Sequence, residues 1–335
     1  MIMFKVYKMK IHDLLFVFQI FLLIDCIYSF KQSNLIKRYS KVDVKSNLIT
    51  RYGKCGIEPN SIYGIDGEDI VWESMRRDAK LEASREPLLA SFMHSTILSH
   101  SSLEKSLSFH MANLLSSPAM GSTQIQALFL DAIDKSYGFR TSLRMDILAV
   151  MDRDPAVKTS PDVLLYFKGF QALQTHRVAH WLWKNNRSTL ALYLHSRANS
   201  VFQIDIHPGA QFGNGIFIDH GTGVVIGETA VLGDNVSMLH KVTLGGCGKR
   251  DVIRHPRIGN CVLLGAGATL LGPITVGDGA HIGACSMVLE DVPPHSVAVG
   301  VPAKIIKQKQ LNPIMSDADS PAMTMETNFK LYYDI

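Results

Sequence analysis

Three short stretches carry side chains that offer chemistry and that no folding rule demands. They are Asp205-Ile206-His207-Pro208, Asp219-His220-Gly221-Thr222-Gly223 with Glu228, and Arg254-His255-Pro256. A carboxylate beside an imidazole holds the ring's tautomer and stabilises the imidazolium, which is what a general base acting on a hydroxyl needs. An arginine offers a planar fork that pins a carboxylate through two parallel hydrogen bonds. The chemistry on offer is proton abstraction from a hydroxyl, with a cationic grip nearby.

The elements that must position these groups follow from two different periods. From Ile206 onward, apolar residues recur at sixth positions. One frame runs through Ile206, Phe212 and Ile218, the next through Ile226, Leu232, Met238 and Leu244, then Ile258, Leu264, Leu270, Val276, Ile282 and Val288. Such hexads are the mark of a parallel β-helix with three short strands per coil and small residues at the corners. A coil of about eighteen residues places Asp205 and His220, fifteen apart, near one corner on successive coils. The register breaks after Leu244, so residues 250–257 are expected to loop out of the coil, where solenoids commonly carry function. Between Gly67 and Ser200 the period is helical instead. Apolar residues at three- and four-residue intervals predict helices over Glu68–Ser84, Leu88–Leu98, Leu103–Leu115, Ile125–Tyr137, Thr141–Met151 and Leu164–Lys184. Short loops between them imply a bundle. The fold class is therefore α+β: an N-terminal α-helical bundle over 67–200, then a C-terminal parallel β-helix over 201–307.

Composition excludes several classes. With 47% apolar and 19% charged residues the chain is no disordered protein. Its first 54 residues hold ten Lys/Arg against three Asp, so the overall +4 leaves −3 for the remainder, and nucleic-acid binding by the body is not supported. Five cysteines with no CxxC pair make neither a disulfide scaffold nor a zinc ribbon. The apolar run Leu14–Ile24 after a basic start is too short to span a bilayer and fits the core of a signal peptide, residues 1–29. Residues 30–66 are basic, Ser-containing and acid-poor in their first part, as transit peptides are. A signal peptide followed by a transit peptide resembles the two-part leader of complex plastids; simple secretion is the alternative. Residues 308–335 lack an apolar period and are expected to form a flexible tail ending in Ile335.

The runs FQIDIHPGAQFGNGIFIDHGTGVVIGETAVLGDNV, VTLGGCGK, RHPRIG and GVPAK resemble serine acetyltransferases. Upstream, DRDPA (152–156), LLYFKGFQALQTHRVAHWLW (164–183) and WESMRRDAKLEASREPLLASFMHSTILSH (72–100) resemble the helical domain of the same family, and the likeness covers about 72–307. The resemblance implies a left-handed β-helix and a homo-oligomer, trimers of solenoids joined through helical domains into a hexamer. It also implies transfer of acetyl from acetyl-CoA to the L-serine hydroxyl in cysteine biosynthesis, with no permanently bound cofactor and no metal. Matched by motif, His220 is the base and Asp205 its orienting partner. Asp154, Asp219, Arg254 and His255 would form the amino-acid pocket, with Glu228 in support. Gly246, Cys247, Gly248 and Lys249 of the turn, with Ala266 and Ala284, would line the acetyl-CoA groove between solenoids. L-cysteine would inhibit by competing for the serine pocket. The terminal Ile335 would dock into O-acetylserine sulfhydrylase, the cysteine synthase.

The chain departs from the family at Val252 and Ile253, where a small polar run usually stands, and at Cys247, where threonine is usual. Cys247 is read as a tolerated small side chain, and Cys261 and Cys285 as packing residues. His176 and His180, four apart, lack the glutamate of a zinc-protease motif and are read as structural. Three alternatives are set against this reading. One is a hexapeptide acetyltransferase with another hydroxyl acceptor. Another is a zinc enzyme like the gamma carbonic anhydrases, drawing on His207, His240 or His281. The third is a non-catalytic scaffold acting through its tail.

Overall fold

The computed structural model describes residues 69–248, 253–308 and 321–325, all within one compact unit, Ile49–Ile335. The leader segments 1–29 and 30–66, Lys249 and Ile335 lie outside the described residues, as does most of the tail.

Among the described residues, eight α-helices precede the solenoid. Helix α1 (Ile70–Arg85) begins where the Asp69 carboxylate accepts from the Trp72 N–H, an N-cap of the kind that satisfies an orphan donor. The short α2 (Ala90–Met93) widens into one π turn, His94–Leu98. Then come α3 (Leu103–Leu115), α4 (Ser122–Lys135), α5 (Phe139–Arg153), α6 (Ser160–Tyr166), α7 (Lys168–Lys184) and α8 (Ser188–Phe202). Met75, Ile97, Leu107, Met111, Phe129, Leu143 and Ile147 are fully buried between them. The single helix expected over Leu164–Lys184 is two, because the chain extends at Phe167 (φ −88°, ψ 94°). Helix α6 packs on α1 and α5, whereas α7 lies on the solenoid, and one straight rod cannot serve both directions. The approach is close: a Cβ on Gly169 would stand 2.1 Å from the Ile218 carbonyl oxygen.

The solenoid is a left-handed, three-sided parallel β-helix. Face one stacks Asp205, Val225, Thr243, Thr269 and Met287; face two Gln211, Val231, Arg257 and Thr275; face three Phe217, Ser237, Leu263, His281 and Val297. The hexad residues Ile226, Leu232, Met238, Leu244, Leu264, Leu270 and Val276 point inward and are buried. At two corners the backbone turns through the left-handed region in columns. Gly215, Asn235, Cys261, Gly279 and His295 form one; Gln203, Gly223, Lys241, Gly267 and Cys285 form the other. Cys261 is buried, but Cys285 is exposed, so packing explains only the first.

Face three carries the helices. Its outward residues Phe217, Ser237, Leu263 and His281 are buried. Asp146 of α5 binds it there: the carboxylate accepts from Arg177 (2.9 and 3.0 Å), from Gln174 (2.8 Å) and from the Ile216 N–H (3.0 Å). A short turn of helix from the tail, Pro321–Thr324, lies on the same face, and the Ser237 hydroxyl donates to the Ala322 carbonyl at 2.7 Å.

Candidate active site

Two corners of the coil carry the residues with chemistry. At the corner between faces three and one, the hexad spacing stretches from Ile218 to Ile226, two residues longer than the rule, and the excess forms a bulge around His220. His220 itself adopts φ +57°, with Gly221 at +70°. That region costs a non-glycine residue about 1–3 kcal/mol and persists only where surrounding bonds over-determine it. Here the Asp219 N–H donates to the Met238 carbonyl (2.8 Å), the Lys241 N–H to the Thr222 carbonyl (2.9 Å), and Lys168, at the start of α7, donates to the Thr222 hydroxyl. The result is an imidazole 67% exposed, with its Nε2 3.8 Å from the Asp219 carboxylate and the His240 ring edge-on at 6.0 Å.

Asp154 reaches this corner because α5 is pinned to the solenoid by its last residue. Arg153 donates to the Gly215 carbonyl (2.9 Å), Asn235 Oδ1 (2.9 Å) and the Ser237 hydroxyl (3.2 Å). The next residue, Asp154, accepts from the Ala156 N–H at 2.7 Å. Burial raises the Asp219 carboxyl above its usual range; the neighbouring Asp154 charge adds to this and His220 opposes it. Two acids beside an open imidazole make an anionic recess suited to an ammonium group.

The corner between faces one and two carries the cationic half. Arg254 donates to Glu228 Oε2 at 2.9 Å. Thr229, which the sequence reading passed over, organises the end of the extruded loop: its hydroxyl accepts from the backbone N–H of Arg254 (3.1 Å) and of His255 (3.2 Å). The Thr229 N–H in turn donates to His255 Nδ1 (3.2 Å), which leaves the ring proton on Nε2. The buried His255 ring needs glycine beneath it, since a Cβ on Gly227 would stand 1.9 Å from Nε2 and one on Gly246 2.8 Å. Burial, and then the Arg254 charge, push the His255 pKa down.

Asp205 lies on face one, stacked under Val225 and just past the column that includes Gln203 and Gly223. Among the described residues no hydrogen bond or ion pair joins it to His220. Its Oδ1 accepts instead from His195 Nε2 on α8 at 2.6 Å, and that bond is the main reason the carboxyl is held below its usual range. His207 stands 6.1 Å from the His195 ring and edge-on to Trp183 at 5.1 Å.

The residues expected along acetyl-CoA divide between the same corners. Gly246, Cys247 and Gly248 are exposed beside Arg254, whose carbonyl accepts from the Cys247 N–H at 3.1 Å. Ala266 and Ala284 stack beyond His240 at the His220 corner, through Gly267 N–H to His240 O (2.9 Å) and Cys285 N–H to Ala266 O (2.8 Å). The zinc alternative needs histidines that meet between subunits. Within one chain His207, His240 and His281 stand on different parts of the coil, after face one, at the His220 corner and on face three. Among the described residues no group of three or more His, Cys, Asp or Glu is arranged to hold a metal ion. His281 is buried and pushed down to about 4, and His176 is buried against Phe212, ring to ring at 4.7 Å. His180 Nδ1 lies 2.8 Å from the Pro208 carbonyl, tying α7 to the solenoid.

Comparison with known proteins agrees with both halves of the chain. Residues 71–175 match the family described as "Serine acetyltransferase, N-terminal", and residues 255–290 match "Bacterial transferase hexapeptide (six repeats)". Serine acetyltransferase 4 of Arabidopsis thaliana is 52% identical over 258 residues, 77% of this chain and 71% of that protein. The soybean serine acetyltransferase complexed with serine is 54% identical, with a TM-score of 0.69 over 70% of this chain and 97% of that one. The Brucella abortus enzyme in complex with coenzyme A is 46% identical, with a TM-score of 0.72 over 74% of this chain and 99% of that one. With about half of the aligned residues identical across both the helical bundle and the solenoid, this chain belongs to the serine acetyltransferase family.

Proposed function

We propose that this chain transfers the acetyl group of acetyl-CoA to the hydroxyl of L-serine, with His220 as general base and Asp205 as its orienting partner. The observation that carries the reading is the exposed His220 held in a left-handed bulge in front of Asp219 and Asp154. Serine's ammonium would face the two acids and its carboxylate Arg254, with His255 beside it. The His220 imidazole takes the hydroxyl proton as the serine oxygen attacks the thioester carbonyl carbon. The oxyanion that forms is met by the backbone N–H groups of Gly246 and Gly248, that of Cys247 being held by the Arg254 carbonyl. Collapse breaks the C–S bond, and the departing CoA thiolate takes the proton back from His220.

The two halves of the site stand at different corners of one solenoid, so they meet most simply between neighbours, the His220 corner of one chain against the Arg254 corner of the next. A trimer supplies that arrangement, and pairing of trimers through the helical domains would give the hexamer. L-cysteine differs from serine by sulfur for oxygen, fits the same recess and competes there. Thiol release from acetyl-CoA tests the reading, with serine compared against no acceptor, threonine and a galactoside, with and without micromolar cysteine. Serine-dependent release suppressed by cysteine is expected; release with another acceptor in its place overturns the substrate.

Delivery to a plastid through residues 1–66 rests on their two-part composition. Docking of Ile335 in an O-acetylserine sulfhydrylase rests on the terminal Asp334-Ile335 pair together with the family of the body. Deleting Ile335 is expected to leave acetyl transfer unchanged and to abolish co-migration with the sulfhydrylase on gel filtration. Unchanged co-migration refutes the docking.

A further inference from the structure

Asp205 has a partner that the motif does not supply. His195 stands ten residues upstream on α8, and its Nε2–H donates to Asp205 Oδ1 at 2.6 Å, a short charge-assisted bond. Both ends are fixed. Asp205 is anchored in the face-one ladder, its N–H donating to the Val224 carbonyl at 2.9 Å. Helix α8 packs along α7, and its C-cap Gln203 is itself the first left-handed corner of the solenoid. His195 is mostly shielded, with 19% of its side chain exposed, whereas Asp205 keeps 41%. The carboxylate therefore has one oxygen committed to the helix and one open to a second partner. The groups around the pair are His207 on the solenoid, with Glu228 and Arg254 beyond it, and His176 on α7.

We propose that His195 is a positioning residue for acetyl transfer: its Nε2–H fixes Asp205 Oδ1, so that the free oxygen is presented in one orientation to the His220 imidazole. This rests on the reading of Asp205 as the partner of His220. A carboxylate on a freely rotating χ2 spreads its lone pairs over many directions, while one locked by a short hydrogen bond holds the base's tautomer without further ordering.

Steady-state kinetics on the full chain test it with four variants. His195→Leu is expected to lower kcat roughly tenfold, the scale of one hydrogen bond to a charged group, with the KM values for serine and acetyl-CoA within about twofold. His195→Gln keeps an N–H donor of similar reach and is expected to recover most of that loss. His195→Asn is polar but too short to reach Asp205, and it is expected to behave as His195→Leu does, so it stands in should leucine disturb the packing of α8. Asp205→Asn is expected to lower kcat further, and adding His195→Leu to it should cost nothing more, since the only path is through Asp205. Losses that add in the double variant overturn the proposal, as does wild-type kcat in His195→Leu and His195→Asn while Asp205→Asn is impaired. Unimpaired Asp205→Asn is a different failure: it removes the reading of Asp205 itself.

Discussion

Replacing His220 with alanine is expected to lower kcat for serine-dependent thiol release by a factor of about 10²–10⁴, the range a positioned general base contributes. The loss should appear in kcat and kcat/KM alike, because proton removal belongs to the transition state and not to binding. The residual rate comes from holding serine beside the thioester. The elution volume on gel filtration should be unchanged, since the side chain is mostly exposed and meets the His240 ring only at its edge. Backbone strain needs its own control. At φ +57° alanine is no better placed than histidine, whereas asparagine tolerates the left-handed region. His220→Asn should therefore show the same kinetic loss in a turn that fits it, and kcat within a few-fold of wild type in either variant would remove the base assignment.

Arg254→Ala is expected to raise the KM for serine by about 10–100-fold, the worth of a charge-assisted grip on a carboxylate, while the KM for acetyl-CoA changes by less than about twofold. The selectivity follows from the geometry. Arg254 shares its guanidinium with Glu228 at 2.9 Å. Without it, Glu228 faces the serine carboxylate with no cation between, so lost attraction is compounded by repulsion. Arg254→Lys keeps the charge and loses the fork, and its serine KM should fall between the two. Equal effects on both substrates would place the loop elsewhere. The extruded segment ends at a fixed point all the same, because the Thr229 hydroxyl holds the backbone of Arg254 and His255.

Hexad periodicity was enough to read the solenoid, because in a three-sided coil the same place in each hexad points inward and an apolar residue recurs there at sixth positions. The helical bundle was legible for the same kind of reason at a period near 3.6, with Leu103–Leu115 found to the residue. The Leu164–Lys184 stripe misled, since amphipathicity continues across Phe167 while the packing direction changes there. The change of frame between Ile218 and Ile226 has a structural meaning that spacing alone does not carry: eight residues stand where six would, and that surplus is the His220 bulge.

Residue types and local spacing thus determined the architecture, the family resemblance and the cluster of acids, imidazoles and guanidinium that makes hydroxyl chemistry plausible. Only the tertiary structure decided how those groups are shared out. It set Asp154 and Asp219 with His220 at one corner and Glu228, Arg254 and His255 at another, and it gave Asp205 to His195 on a helix. The physical reason is that a side chain's inward or outward sense is fixed by its place in a repeat. Its partner is fixed by which corner the coil length delivers it to and by which helix the buried face three pulls alongside.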